Sequence, residues 1–325
     1  MKVVLLDSQV IAGYDYSAEQ KIVEEAGFEF VKLQCKNEDE VIEQALDADA
    51  VLNIAVKMTE KSISRFPHCQ VMVRYGIGVN EFDMEAATKK GIKICNVSTY
   101  CIPEVAIHAT AILLALSRQL KHFDEAVGKG LWNKDLGRVM RRPNSQTVGL
   151  IGFGHIAKQV SKNVMGLGYK VMAYDPYLPS EVFAANGVEE ASLDELFANA
   201  DLISLHLPET AETANMIDSK AIDKMKDGVI IVNAARGGLI NQEDLVQGLK
   251  LGKIGGVGLD TFPVEPMTDK ENPLLHMDNV IISPHVAYNS KEANGELFEG
   301  VAKTAVDVLN GQVPANVLNR KALGL

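Results

Sequence analysis

The stretch Thr147-Val-Gly-Leu-Ile-Gly-Phe-Gly-His-Ile-Ala157 decides the fold of this chain. An apolar strand pattern runs directly into Gly152-x-Gly154-x-x-Ala157, and an amphipathic helix pattern follows. Gly152 permits a tight turn, Gly154 lets the backbone approach a pyrophosphate, and Ala157 lets the helix pack closely on the strand. The N-terminus of that helix offers free N–H groups and a positive dipole end to phosphates. The motif therefore predicts a dinucleotide-binding Rossmann unit.

An acidic residue follows this fingerprint at the distance expected for ribose recognition. The next strand pattern, residues 170–174, ends in Asp175, which lies 18 residues after Ala157. A carboxylate at this position accepts hydrogen bonds from the adenosine ribose hydroxyls and repels a 2′-phosphate. We therefore predict that the cofactor is NAD (NAD+/NADH) and that NAD is preferred over NADP.

Short apolar runs alternate with longer amphipathic runs on both sides of the fingerprint. Continuous apolar strands separated by helices indicate parallel sheets that are covered on both faces. The strand candidates are residues 3–6, 50–53, 71–74, 93–96, 147–151, 170–174, 202–205, 229–233 and 280–283. The helix candidates are residues 17–26, 41–45, 103–120, 156–167, 242–251 and 292–309. The pattern predicts an α/β protein with two doubly wound parallel-sheet domains.

The strand candidates form two series, which set the predicted domain boundaries. One series ends near residue 97, and the other runs from about residue 147 to about residue 284. The helix pattern at 292–309 cannot form a core alone, so it must return to pack on an earlier unit. We therefore predict a flavodoxin-like domain of residues 1–100 and 290–325, into which a Rossmann domain of residues 101–289 is inserted.

The composition of the chain disfavours some classes of binding partner and indicates a cellular location. The 325 residues include 32 Lys+Arg and 43 Asp+Glu, for a formal net charge of −11. Such a surface repels phosphate backbones and anionic lipid, which argues against nucleic-acid and membrane binding. No uncharged apolar stretch approaches the ~18–20 residues that span a bilayer. The four cysteines show no zinc-site spacing, so we expect no metal, reduced buried thiols and a cytoplasmic location. The single tryptophan, Trp132, is interpreted as a packing residue.

Three further blocks each place one reactive side chain at or just beyond the C-terminal end of an apolar run. They are Val232-Asn-Ala-Ala-Arg236-Gly-Gly238, Gly258-Leu-Asp260-Thr-Phe-Pro-Val-Glu265-Pro266 and Ile281-Ile-Ser-Pro-His285-Val-Ala287. Ligands of open α/β sheets bind at this edge. Alone, the arginine could be a surface ion-pair partner, the glutamate a loop acid and the histidine a turn residue. Their joint position beside the fingerprint favours a catalytic site.

With these blocks, the sequence resembles the D-isomer-specific 2-hydroxyacid dehydrogenases over nearly its whole length. Arg74-Tyr-Gly-Ile-Gly-Val79 resembles the substrate loop of that family, and residues 96–106 resemble its crossing into the cofactor domain. His206-Leu-Pro208-x-Thr210-x-x-Thr213 resembles the loop beneath the cofactor. The resemblance implies an NAD-dependent oxidoreductase that interconverts a small 2-keto acid and its D-2-hydroxy acid. Residues 1–100 and 290–325 would then be the substrate (catalytic) domain.

The resemblance also implies roles for individual residues. His285 would be the acid/base, Glu265 would orient its imidazole, and Arg236 would bind the substrate carboxylate. The implied cofactor-binding residues are Gly152, Gly154, His155, Ile156, Asp175, His206, Pro208, Thr213, Ala234, Arg236, Asp260 and His285. The implied substrate-binding residues are Asn53, Tyr75, Gly76, Ile77, Gly78 and Arg236. A homodimer through the cofactor domains, with the 103–120 helix in its interface, is also implied.

Two departures from the family pattern bear on specificity. The family commonly carries Asp-Asn where Asn80-Glu81 stands here, and an acid where Ile107 stands before His108. The main alternative is a corepressor-like binding protein that senses NAD(H) and has little or no turnover. The sequence of residues 74–79 is somewhat more similar to that branch of the family. A third interpretation, a formate-oxidising branch of the same family, is disfavoured. Members of that branch resemble enzymes that carry Gln at the position where this chain has Glu265. If phosphoglycerate were the substrate, we would expect additional cationic side chains just after the 50–53 strand to bind its phosphate. Lys57 is the only nearby candidate there.

Overall fold

The computed structural model describes residues 1–6 and 15–325, which form two compact units. One unit combines the two ends of the chain, residues 1–100 and 290–325, and the other consists of residues 101–289. The first unit contains a five-stranded sheet and the second a seven-stranded sheet, and the strands of both sheets pair in parallel. The prediction of two parallel-sheet α/β domains is confirmed.

The elements are numbered in chain order. The strands are β1 Lys2–Leu6, β2 Glu29–Leu33, β3 Ala50–Asn53, β4 Val71–Arg74, β5 Lys93–Cys95, β6 Thr147–Ile151, β7 Lys170–Tyr174, β8 Glu189–Glu190, β9 Leu202–Leu205, β10 Val229–Asn233, β11 Ile254–Leu259 and β12 Val280–Ile282. The helices are α1 Ser17–Glu25, α2 Glu38–Gln44, α3 Glu60–Ile63, α4 Met84–Lys89, α5 Ile102–Ser117, α6 Leu120–Gly128, α7 His155–Gly166, α8 Ser180–Ala185, α9 Leu193–Asn199, α10 Ser219–Lys224, α11 Gln242–Lys250 and α12 Lys291–Leu309.

The strand orders are those of doubly wound sheets. In the first unit the order is β2-β1-β3-β4-β5, and in the second it is β12-β11-β10-β9-β6-β7-β8. The order reverses direction beside β1 in the first unit and beside β6 in the second, which is where such sheets bind ligands. Helix α12 packs against α1, β3 and β4, so the C-terminal helix completes the first unit.

Glycines explain why β11 escaped sequence-based assignment. This strand reads Ile-Gly-Gly-Val-Gly-Leu, and its three glycines depress the strand signal. A Cβ on Gly258 would lie 2.0 Å from the side chain of Ile112 on α5. Glycine is therefore required here because the helix lies directly on the strand. Strand β2 was missed for another reason, since its side chains are partly or fully exposed and include two charges.

The apolar helix predicted for residues 103–120 is α5, which ends three residues earlier than predicted. Helix α5 ends at Ser117, and α6 begins at Leu120 after Gln119, which adopts a left-handed conformation with φ 54°. The apolar side chains of α5, among them Ala106, Ala109, Ile112, Leu113 and Leu116, pack in the core of the second unit. The packing interpretation of Trp132 is wrong, because its side chain is 89% exposed after α6.

The four cysteines lie in the core. All four are buried, and burial raises the pKa of Cys69 and of Cys95 to about 12. Thiols with such pKa values remain protonated and unreactive at neutral pH. Within residues 1–6 and 15–325, no group of three or more His, Cys, Asp or Glu side chains is placed to hold a metal ion. Over the same residues, the helices are too short or too polar to cross a membrane.

Candidate active site

His285 lies on a strained loop that a buried carboxylate holds in place. It follows β12 with φ 53°, in the left-handed region, and its N–H donates to the carbonyl oxygen of Asp260 at 2.8 Å. The carboxylate of Asp260, which is 1% exposed, accepts from the N–H groups of Val286 at 3.0 Å and Ala287 at 2.9 Å. The hydroxyl of Ser283 also donates to it, at 2.5 Å. Asp260 therefore fixes the backbone on both sides of the histidine.

Glu265 positions the imidazole of His285. Its Oε2 lies 2.6 Å from His285 Nδ1, and its Oε1 accepts from the N–H of Phe262 at 2.8 Å. Partial burial raises the pKa of Glu265, but the His285 and Phe262 hydrogen bonds and the positive charges of His285 and Arg236 outweigh burial, so the net pKa is lowered. The carboxylate thus stays ionised and holds a proton on Nδ1, which directs the chemistry to Nε2.

The loop after β10 brings Arg236 into the electrostatic environment of Glu265. Asn233 holds this loop, since its Nδ2 donates to the Arg236 carbonyl at 2.7 Å and its Oδ1 accepts from the Ala235 N–H at 3.0 Å. A Cβ on Gly237 would lie 1.9 Å from the Phe262 carbonyl carbon. Glycine at this position is what allows the Arg236 loop to pack against the loop that carries Glu265.

Two polar residues belong to this cluster that the sequence did not assign to it. His108 on α5 places Nε2 at 3.0 Å from the hydroxyl of Ser283 and 3.5 Å from Oδ1 of Asp260. The signal for His108 was a histidine on an otherwise apolar helix, which sequence reasoning interpreted as packed. Ser283 carried no signal of its own. Together they connect α5 to the carboxylate that supports the His285 loop.

The fingerprint loop forms a cradle with an uncapped helix above it. Gly152 has φ 84°, and a Cβ there would lie 2.7 Å from the carbonyl oxygen of His206. Helix α7 begins at His155 after Gly154, which provides no side-chain cap. Among the residues that the structure describes, no atom lies within 4 Å of a Cβ built on Gly154, so the backbone is open at that point. The N–H groups of His155 and Ile156 are thus available to an anion.

Asp175 lies next to this cradle at the end of β7. Its Oδ2 accepts from the N–H of Phe153 at 2.9 Å, and its Oδ1 accepts from the N–H of Tyr177 at 3.1 Å. A carboxylate has about four lone-pair sites, so both oxygens retain acceptor capacity for ribose hydroxyls. The backbone contacts fix the carboxylate beside the fingerprint, as ribose recognition requires.

The loop after β9 lies at the same sheet edge. Burial lowers the pKa of His206 to about 4, so its imidazole is neutral at pH 7. His206 Nε2 lies 2.9 Å from the Ser204 hydroxyl, and Thr213 Oγ1 donates to the Pro208 carbonyl at 2.7 Å. Ala234 follows the end of β10. The cofactor residues predicted from sequence therefore lie after β6, β7, β9, β10, β11 and β12, at the carboxyl edge of one sheet.

In the first unit, the loop that the resemblance assigns to the substrate follows β4. Gly76 has φ 135°, and the carbonyl of Ile77 accepts from Asn96 Nδ2 at 2.7 Å. For the described part of the chain, the N–H groups of Ile77 and Gly78 donate to no other residue. Asn53 is fully buried, and both polar atoms of its side chain bind the backbone of Val56. A substrate contact by Asn53 stays a prediction.

Tyr75 is anchored inside the first unit by a buried acid. Its hydroxyl donates to Oε1 of Glu19 at 3.1 Å, and its ring packs edge-on against Phe298. Glu19 is fully buried, and among the described residues its Oε2 has no hydrogen-bond partner. Burial is the main cause of a raised pKa for Glu19, which the Tyr75 hydrogen bond offsets only in part.

We expect Glu19→Gln to become more stabilising as pH rises. A raised carboxyl pKa in the folded state means that stability is lost as pH rises through that pKa, because the folded protein then holds a buried charge. Glutamine retains the oxygen that accepts from Tyr75 but cannot ionise. The melting temperature of the variant minus that of the wild type should rise by at least about 2 °C between pH 5 and pH 8. The exposed Glu25→Gln on the same helix is the control, and an equal response of both variants would contradict the prediction.

Comparison with known proteins agrees with this geometry. The family model described as D-isomer specific 2-hydroxyacid dehydrogenase, NAD binding domain, matches residues 110–287. D-3-phosphoglycerate dehydrogenase of Mycobacterium leprae is 36% identical over 274 residues, which cover 84% of this chain and 51% of that protein. Hydroxypyruvate reductase of Thermotoga maritima is 38% identical over 289 residues, covering 83% of this chain and 92% of that protein.

Solved structures share the architecture. The crystal structure of D-lactate dehydrogenase from Aquifex aeolicus, complexed with NAD and lactic acid, aligns with a TM-score of 0.83 at 28% identity, covering 95% of this chain and 96% of that one. A glyoxylate reductase from Paecilomyes thermophila aligns with a TM-score of 0.86 at 26% identity, covering 98% and 99%. The chain spans about half the length of the curated phosphoglycerate dehydrogenases that it matches.

Proposed function

This chain belongs to the D-isomer specific 2-hydroxyacid dehydrogenase family, and we propose that it interconverts a small 2-keto acid and the corresponding D-2-hydroxy acid with NAD as the cofactor. The observation that carries the proposal is the 2.6 Å contact between His285 Nδ1 and Glu265 Oε2, on a loop held by buried Asp260. Arg236 lies on the neighbouring loop and adds a positive charge to this pair.

His285 is the proposed proton donor for keto-acid reduction. NADH, when bound, supplies the hydride that adds to the carbonyl carbon. The imidazolium of His285 gives the proton at Nε2 to the carbonyl oxygen, and Glu265 stabilises the imidazolium before transfer. The resulting neutral imidazole regains a proton from water, since the side chain is 44% exposed. In the direction of oxidation, neutral His285 accepts the hydroxyl proton.

Arg236 is the proposed anchor for the substrate carboxylate. Its planar guanidinium matches a carboxylate with two parallel hydrogen bonds, and its charge polarises the adjacent carbonyl. In the first unit, the N–H groups of Ile77 and Gly78, which donate to no other residue in the described part of the chain, are proposed to contribute to substrate binding. Both assignments follow from the family, and the loop geometry of each unit supports them separately.

The residues present fit a dinucleotide. The cradle at Gly152, the uncapped start of α7 and the carboxylate of Asp175 supply a close backbone approach, anion donors and a ribose acceptor. The neutral imidazole of His206 adds no charge at the cofactor edge. We propose that NAD is preferred over NADP because Asp175 would repel a 2′-phosphate.

We expect Asp175→Asn to raise the ratio of kcat/KM with NADPH to that with NADH by about tenfold or more. Asparagine keeps an oxygen that accepts from Phe153 N–H, so the change removes the charge while the loop stays supported. Initial rates with each cofactor at a fixed keto acid concentration give the ratio. Asp223→Asn, on the exposed face of α10, is the charge-matched control. An unchanged ratio in Asp175→Asn would remove Asp175 from cofactor choice.

The proposed activity is tested with a panel of 2-keto acids followed by NADH absorbance. Turnover of at least one of glyoxylate, pyruvate or hydroxypyruvate is the expected result. NADH binding without turnover of any keto acid would overturn the enzymatic proposal and favour the NAD(H)-sensing, corepressor-like alternative. The panel includes monoanionic and dianionic acids, so that it also reports which substrate side chains the enzyme accepts.

We also propose that the chain is a homodimer through its cofactor domain. Four large apolar side chains are exposed in the segment between α6 and β6, namely Leu131, Trp132, Val139 and Met140. Exposed apolar side chains in such proximity along a chain are typical of a contact surface. The 103–120 helix stays part of the proposed contact, because Ile107 and Leu120 are also exposed, and the segment between α6 and β6 extends it. Light scattering distinguishes the dimer from a monomer.

A further inference from the structure

An ion pair closes the substrate loop of the first unit. Arg74 ends β4 and Glu81 lies beyond the loop, and their side chains meet at two points. Nε of Arg74 lies 2.9 Å from Oε2 of Glu81, and Nη2 donates to Oε1 at 3.0 Å. The side chains are only 18% and 24% exposed, so water screens this pair less than a surface pair. The two residues therefore hold residues 75–80 as a closed loop.

The guanidinium also lies against the loop backbone. Its Nη1 donates to the carbonyl of Tyr75 and would lie 3.7 Å from a Cβ built on Gly76. Glu81 is fixed in turn, because its carbonyl accepts from the N–H of Met58 at 2.7 Å. Nη1 and Nη2 of Arg74 are thus hydrogen-bonded to the loop and to Glu81, and Nε lies within ion-pair distance of Glu81. The charge of Arg74 is compensated beside the residues assigned to the substrate.

This compensation leaves the loop with backbone amides but no free positive charge. Lys57, after β3, is an exposed cation for which the described part of the chain gives no ion pair, but water screens its charge more than that of the largely buried Arg74. Binding a second anionic group on a substrate requires an uncompensated cation, since phosphate and carboxylate lose strong hydration on binding. Arg74 could supply that cation only if Glu81 were neutral. Asparagine, which the family commonly carries at this position, would leave the guanidinium free.

We propose that Glu81 is a specificity-determining residue that restricts the enzyme to 2-keto acids with a single negative charge. By neutralising Arg74, it disfavours substrates with a phosphate ester or a second carboxylate. This inference rests on the proposed function and on the assignment of residues 75–78 to the substrate. It places the chain with enzymes for uncharged side chains despite its similarity to phosphoglycerate dehydrogenases.

The test compares monoanionic acids (glyoxylate, pyruvate, hydroxypyruvate) with dianionic acids (2-ketoglutarate, 3-phosphohydroxypyruvate). For the wild type, kcat/KM should be at least about tenfold higher for the best monoanion. Glu81→Gln keeps the length of the side chain and an acceptor oxygen while removing the charge. It should raise kcat/KM for dianions by about tenfold, mainly through KM, with little change for monoanions.

Two further variants test whether the gain for dianions depends on the charge of Arg74 or on the loss of any negative charge from the protein. Arg74→Gln combined with Glu81→Gln should lose the gain for dianions, because no free guanidinium remains. Glu85→Gln removes an equal charge from the exposed face of α4 and should leave the ratio unchanged. Should Glu81→Gln unfold, Glu81→Asn restores the common family residue and serves the same comparison.

The outcomes are distinguishable from failure of the proposed function. A wild-type preference for a dianion, or an equal gain for all acids in Glu81→Gln, would overturn the role of Glu81 while the dehydrogenase activity stands. Absence of turnover with every acid, by wild type and variants alike, would instead contradict the dehydrogenase proposal on which this inference rests.

Discussion

Replacing His285 by asparagine is expected to lower kcat for keto-acid reduction by about 10²–10⁴-fold while NADH binding is retained. The variant loses the proton donor but keeps the backbone, because asparagine is among the few residues that tolerate the left-handed conformation found at this position. Single-turnover rates of NADH oxidation report the chemical step, and fluorescence titration reports NADH binding.

His276→Asn is the matched control, since His276 is exposed and, among the described residues, its side chain hydrogen-bonds only to the carbonyl oxygen of Lys270. Activity in this variant should equal that of the wild type. A His285→Asn enzyme with near-normal kcat would exclude His285 as the acid/base. Loss of NADH binding and of thermal stability together would point to a structural role of the loop.

The histidine shows where sequence reasoning reaches its limit. A histidine after an apolar run predicted a reactive side chain at the sheet edge, but only the family resemblance paired it with Glu265, which is 20 positions away and lies at 2.6 Å. The left-handed backbone at His285 costs about 1–3 kcal/mol in a non-glycine residue. Asp260 offsets that cost with hydrogen bonds from Ser283, Val286 and Ala287, and no pattern in the sequence connects these residues.

The fold was more predictable than the site for a physical reason. Buried parallel strands are continuous apolar runs, so the bounds of β3, β4, β6, β7, β9 and β10 follow directly from the sequence. The bounds of β11 did not follow from the sequence, because Gly258 is required by the side chain of Ile112, which lies on another element, α5. The Arg74–Glu81 pair is of the same kind. The sequence showed that Glu81 departs from the family pattern. The effect of that departure depends on its ion pair with Arg74, which only the structure shows.

Replacing Arg236 by glutamine is expected to lower kcat/KM for the keto acid by about 10²–10⁴-fold. The two charge-assisted hydrogen bonds of a guanidinium–carboxylate pair are each worth about 1.5–3 kcal/mol, and glutamine offers no charge. Arg236→Lys keeps a point charge but loses the planar fork, so its loss should be smaller. Steady-state kinetics with NADH saturating and the keto acid varied give the comparison.

The same substitution should also change the electrostatics of the His285–Glu265 pair. The positive charge of Arg236 is one of the causes that lower the pKa of Glu265, so its removal should raise that pKa toward the ordinary value. A depressed carboxyl pKa stabilises the fold above the unfolded pKa and loses this contribution as pH falls. Arg236→Gln should therefore unfold at a higher pH than the wild type during acid titration. Arg118→Gln, at the exposed end of α5, controls for net charge. If Arg236→Gln retains normal kcat/KM, the substrate carboxylate is bound elsewhere, whereas unchanged acid unfolding would show that Arg236 does not act on Glu265.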